Sequence, residues 1–200
     1  MKDFFEITDV LSRKVFNLEG AETIEAEVTL DDGTCGRACV SAKMVDGKDP
    51  SIAAQNVNTE IAEAVVGLNA LDQTYIDSLL LEIDGEDGKR LGTNATLAVS
   101  FAVAKAAAES SGLALYNYLG GVNARNIPEI VGETDTKRGM KWYPTLTRLM
   151  DDIGNYEILC GGNTEDTIMA NIAVAVNAKK MVARPNVRNE LIRIEEELYG

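Results

Sequence analysis

Residues 81–121, LEIDGEDGKRLGTNATLAVSFAVAKAAAESSGLALYNYLGG, decide how this chain is read. The segment opens with a surface turn at Asp84-Gly85-Glu86-Asp87-Gly88, since glycines and short acidic side chains favour bends. Thr93 or Asn94 then stands where a helix cap is needed. The run that follows carries small residues on nearly every face, so it predicts a helix packed closely inside the protein. LALYNYL stops at Gly120-Gly121, because glycine accepts the left-handed conformation at a helix end.

On the N-terminal side, residues 3–9 and 22–30 alternate as strands do. In TIEAEVTL, Ile24, Ala26, Val28 and Leu30 share one parity, and Glu25, Glu27 and Thr29 the other. Asp32-Gly33 predicts a hairpin into TCGRACVS. Residues 1–41 therefore predict a three-stranded antiparallel sheet. From 51 the period becomes helical: Ala54, Val57, Ile61, Val65 and Leu68 make one stripe, and Ile76, Leu79, Leu80 and Ile83 another after Asp72.

On the C-terminal side, Pro128 and the polar run Gly132 to Gly139 predict a linker over 129–143, dividing a first domain (1–128) from a second (144–200). The second predicts a short helix near 144–152, a strand in YEILC, a helix over 164–177, a strand in MVA and a final helix. That helix carries Val187, Leu191, Ile194 and Leu198 on its inner stripe. Trp142 and Tyr143 close the linker, as a plug over apolar surface or a hot spot for a partner.

The net charge of −13, from 19 basic and 32 acidic residues with no basic cluster, excludes nucleic-acid phosphate as a natural partner. No window is apolar enough for a membrane span, and the N-terminus has no apolar core behind a basic start. Cys35, Cys39 and Cys160 form an odd set without CxxC spacing, and the chain has no histidine, so no zinc shell is expected. Cys35 and Cys39 on one strand would share a face, as small buried residues. A reducing cytoplasm is the expected location.

Several long strings resemble the enolase (phosphopyruvate hydratase) family: DDGTCGRACV, NVNTEIAEAVVGLNALDQTYID, the 81–121 segment, TEDTIMANIAVAV and NELIRIEEEL. The resemblance covers most of 1–128 and about 144–198. It implies an α+β fold, in which an enolase N-terminal-like meander plus helices is followed by two or three βα units from the end of the enolase barrel. A complete (β/α)8 barrel takes about 250 residues, whereas 72 follow Pro128. The expectation is a truncated, degenerate homologue.

Hydratase chemistry needs a base and Mg²⁺ ions to hold a dianionic intermediate. The resemblance implies that the metal carboxylates, the acid-side glutamates and the base lysine belong to the missing middle of the barrel, so no catalytic and no metal residues are expected. The family's His, Arg and Ser at the substrate fall on Leu159, Cys160 and Gly161. Its later lysine falls near Val182, with Lys179 and Lys180 aligned elsewhere. Its closing loop corresponds to Ser41 to Gly47 without the glycine and hydroxyl pattern, and Leu11-Ser12-Arg13 is what remains of another family motif.

YEILCGGNTEDT, residues 156–167, could still form a weak anion site, since a strand feeding a glycine turn and a helix N-terminus presents backbone N–H groups. Its candidate residues are Gly161, Gly162, Asn163 and Thr164, with Arg184 supplying charge. The retained Asn163/Thr164 is expected to serve as a helix cap. Asp84, Glu86 and Asp87, and Asp31-Asp32, read as solvated turn carboxylates. Glu190 and Glu195 to Glu197 read as a solvated helix face pairing with Arg184, Arg188 and Arg193.

The function expected is a binding, assembly or regulatory protein without hydratase activity or cofactor. A homodimer or protein partner would cover the open parallel sheet, and a small anionic ligand remains open. The alternative is a residual Mg²⁺-dependent conversion of 2-phosphoglycerate to phosphoenolpyruvate, or a new lyase activity between the two parts.

Overall fold

A computed structural model describes residues 4–85, 89–131, 143–153, 158–160 and 164–200. Three strands, β1 (Ile7–Phe16), β2 (Glu22–Leu30) and β3 (Cys35–Val40), form an antiparallel sheet in the order β1-β2-β3. The Asp32-Gly33 turn holds as expected: Gly33 takes φ 86° and the Asp32 carboxylate accepts the Thr34 N–H at 2.9 Å. β1 lies further along the chain than the 3–9 expected, for a physical reason. The register slips between Ile7 and Asp9, so the buried parity passes from Phe5 and Ile7 to Val10 and Ser12, and a bulge of this kind breaks the alternation a sequence reading follows.

Six helices follow: α1 (Ala42–Val45), α2 (Pro50–Asn56), α3 (Ala62–Val65), α4 (Gln73–Asp84), α5 (Thr93–Ser110) and α6 (Leu115–Gly120). A π-helical turn, Val57–Ile61, joins α2 to α3, and the expected stripe survives it, with Val57, Ile61 and Val65 fully buried. In α5, fourteen of eighteen residues are buried, and the sheet backbone comes right against it. A Cβ on Gly36 would stand 2.1 Å from the Ala102 carbonyl oxygen, so only glycine lets β3 and α5 meet. The cap of α5 differs from expectation: Gly92, at φ 107°, is the N-cap residue. The Asn94 amide instead holds both the N–H and the carbonyl of Lys48, at 2.9 and 3.0 Å, tying the 41–48 segment to the helix.

The remainder contains β4 (Glu129–Ile130), α7 (Leu146–Ile153), β5 (Ile158–Cys160), α8 (Ile168–Ala175), β6 (Lys180–Val182) and α9 (Pro185–Tyr199). β4, β6 and β5 form a small parallel sheet in that order, with β5-α8-β6 a βαβ unit. β4 lies inside the segment read as a linker. The α+β architecture agrees with expectation. Val187, Leu191 and Ile194 of α9 are buried in the same hydrophobic cluster as Ile7, Ile24 and Leu97. Gly120 permits a second close approach, since a Cβ there would lie 2.3 Å from the Ala175 carbonyl oxygen at the end of α8.

One buried polar knot escaped the sequence reading. Asp77 of α4 is fully buried and accepts from Ser100 Oγ at 2.6 Å, Gln73 Nε2 at 2.9 Å and the Thr147 N–H at 2.8 Å. Ser100 Oγ in turn accepts the Leu146 N–H at 2.8 Å. Asp77 and Ser100 thus satisfy the first N–H groups of α7, which has no intrahelical partner for them.

Side chains engage one residue on each edge of the antiparallel sheet. At β1 the Asn58 amide, presented by the π turn, accepts the Ser12 N–H at 2.6 Å and donates to the Ser12 carbonyl at 2.9 Å. At β3 the Cys39 N–H donates to Asp166 Oδ2 at 3.0 Å, and the Thr164 hydroxyl donates to the Cys39 carbonyl at 3.4 Å. An open edge is a template for pairing with another chain, and these contacts occupy the outward backbone groups of Ser12 and Cys39.

Candidate functional site

Of the residues expected to form an anion site, Gly161, Gly162 and Asn163 lie outside the described residues, as do Glu86, Asp87 and Trp142. Thr164 is buried, and its hydroxyl, besides donating to Cys39, accepts the Asp166 N–H at 3.3 Å. Its carbonyl accepts from Asn186 Nδ2 at 3.1 Å. Thr164 is therefore not the cap of α8. That helix starts at Ile168, whose N–H donates to Asp166 Oδ1 at 2.8 Å. The cap sits later than expected because the 164–166 segment is spent on the edge of β3.

Arg184 pairs with Glu19 of the β1–β2 turn at 2.5 Å rather than with the α9 glutamates. Arg193 does pair within α9, with Glu190 at 2.9 Å, and Arg188 Nε donates to the Ala183 carbonyl at 2.8 Å. Asp84 is not a solvated turn residue: it is buried and accepts the Leu91 N–H at 2.6 Å. The Tyr143 hydroxyl meets Asp152. The 41–47 segment, aligned with the family's closing loop, forms α1 and ends with Gly47 against the Asn94 side chain.

Lys105 and Asp166 form the most buried ion pair among the described residues, 2.7 Å apart with side chains 25% and 4% exposed. The Lys105 ammonium also donates to the Arg37 carbonyl at 2.7 Å. One carboxylate therefore serves α5, the β3 edge and the start of α8 together. Cys35 and Cys39 do share a face, but it is the half-exposed one; Gly36, Ala38 and Val40 take the buried face. Burial first, then the charges of Asp166 and Glu25, push the Cys39 thiol up to about 12, and burial also raises Cys35.

Between β3, α5, α6, α8 and α9 lies a cleft of about 540 Å³, within the range of small-molecule sites. Ala108, Leu113, Ala114, Leu115 and Ile194 give it an apolar floor, and Tyr116 and Asn171 are buried in its wall. Three cations line it, each already engaged: Lys105 by Asp166, Arg193 by Glu190, and Arg37 by Glu27 at 2.6 Å. Hydrogen bonds from Arg13, then Arg37, hold the Glu27 carboxyl below its ordinary range. Burial, and then Glu197, push the Tyr116 phenol up. Nothing in the sequence pattern marked this cleft as a unit, because its walls come from five elements far apart in the chain.

Among the described residues, no three His, Cys, Asp or Glu side chains converge to hold a metal ion. Mg²⁺ asks for near-octahedral oxygen ligation, and the described donor set does not fit it. No helix among them is long and apolar enough to cross a membrane. Residues 41–119 match the family model described as enolase, N-terminal domain. That segment runs from the end of β3 through α6, and the meander with its packed helices is an α+β enolase N-terminal-like fold.

Proposed function

We propose that this is an enolase-related protein without phosphopyruvate hydratase activity, acting by binding or assembly. The reading is supported above all by how the surviving motif at 164–167 is used. Thr164 and Asp166 are committed to the β3 edge, to Lys105 and to the start of α8, and Leu159, Cys160 and Gly161 stand where the resemblance puts the family's His, Arg and Ser. A phosphorylated carboxylic acid brings several negative charges, which need cations free to meet them. Lys105, which meets this segment at Asp166, and Arg184, the cation expected to serve it, are both paired with carboxylates.

The test is an absorbance assay for phosphoenolpyruvate with 2-phosphoglycerate and Mg²⁺. No formation above the uncatalysed rate is expected. Turnover abolished by a chelator would refute the proposal. The assembly part predicts a homodimer by size-exclusion chromatography with light scattering, and a monomer across micromolar concentrations would remove self-association.

A further inference from the structure

We infer that the exposed face of α9 docks against the same face of a second copy of this chain, the two helices lying antiparallel about a two-fold axis at Ile192. This deepens the assembly reading above and rests on it. α9 buries Val187, Leu191 and Ile194 against its own core. At about 3.6 residues per turn, Pro185, Arg188, Ile192, Glu195, Glu196 and Tyr199 share the opposite side, and all six are exposed. Two large apolar side chains stand on it, Ile192 at 53% and Tyr199 at 65% exposure. One exposed apolar residue is ordinary. Two on one stripe, seven residues apart, follow the spacing of a helix-packing seam.

The order of charge along this stripe names the occupant. Arg188 lies four residues before Ile192, and Glu195 and Glu196 lie three and four after it. An antiparallel copy centred on Ile192 therefore sets Arg188 against the partner's Glu195 and Glu196, Ile192 against the partner's Ile192, and Tyr199 against the partner's Pro185. The two-fold axis makes each unlike contact twice, whereas a parallel copy would set like charge on like charge. Arg188 Nε donates to the Ala183 carbonyl, and neither Arg188 nor Glu195 nor Glu196 forms an ion pair among the described residues. The Tyr199 hydroxyl donates to the Arg125 carbonyl, so its ring is held in place before contact and less freedom is lost on docking.

Sedimentation velocity of the full chain across micromolar concentrations tests this, at an ionic strength of about 0.15 M, where charges more than about 8 Å apart are largely screened and the net charges of the two copies act weakly. The parent should dimerise. Ile192→Asp, which sets two carboxylates face to face on the axis, and Arg188→Glu should each raise the dimer dissociation constant at least about tenfold. Adding Glu195→Arg and Glu196→Arg to Arg188→Glu reverses both ends of the stripe and should bring the constant back to within about threefold of the parent's. Glu63→Arg, at an exposed position on α3, should leave it unchanged. A dimer indifferent to Ile192→Asp, a triple variant no tighter than Arg188→Glu alone, or equal weakening by Glu63→Arg would overturn the inference and leave the assembly reading standing. A monomeric parent would remove self-association and this surface together.

Discussion

Replacing Asp77 tests whether one carboxylate on α4 organises the start of α7. Asp77→Ala removes the acceptor for the Thr147 N–H and for Ser100 Oγ. Each buried group left without a partner costs about 1–3 kcal/mol, offset in part because a buried carboxylate is no longer desolvated. A net loss of about 2 kcal/mol follows, which for a urea m-value of about 2 kcal/mol/M lowers the unfolding midpoint by about 1 M. Asp77→Asn should be far milder. Its Oδ1 can take the Thr147 N–H while its Nδ2 faces Gln73, whose side-chain oxygen is buried without a partner and can turn towards it.

The two variants also differ in pH dependence from the parent. Burial raises the Asp77 carboxyl above its ordinary value, so the folded chain holds that proton more tightly than the unfolded one. The parent's stability therefore falls, relative to Asp77→Asn, as pH rises from below the unfolded value through the folded one, and the difference is level above that window. Urea titrations at several pH values measure both effects. A midpoint shift for Asp77→Ala under roughly 0.3 M, or equal damage from the asparagine, would refute the reasoning.

Gly36→Ala should destabilise the chain by about 1–3 kcal/mol, because the added methyl meets α5 backbone that can move only by parting from the sheet; thermal unfolding checks this, and an unchanged midpoint would show that α5 adapts freely. In a Cys160→Ser background, Cys39 should alkylate with iodoacetamide more slowly than Cys35 at pH 8, since its thiol is pushed up to about 12 and the thiolate is the reactive form. Peptide mass spectrometry reads both rates, and faster modification of Cys39 would contradict its burial.

The sequence and the structure part company where a side chain answers to something distant. The α5 stretch was legible because small residues on every face can only be buried, and β2 because its alternation runs unbroken from Ile24 to Leu30. β1 was misplaced because one extra residue at Thr8 reverses the pattern. Asn94 looked like a cap, and Thr164 looked like one too, since each lies at the head of a helical run. Neither serves as one, because Lys48 and Cys39 claim them across 46 and 125 residues of chain. Asp77 sat unnoticed among apolar residues for the same reason: its partners lie in α5 and α7. The cleft was hidden further still, since its charge balance depends on which arginine meets which glutamate.

The order in which the sheet edges are sealed follows from chain distance. Asn58 lies 46 residues after Ser12, whereas Asp166 lies 127 after Cys39. At a synthesis rate of about 5–20 residues per second, the first seal is available roughly 2–9 s after its strand is made and the second only after roughly 6–25 s. During translation the β3 side therefore stays open to a neighbouring nascent chain for longer than the β1 side. Errors of assembly on crowded ribosomes should begin there.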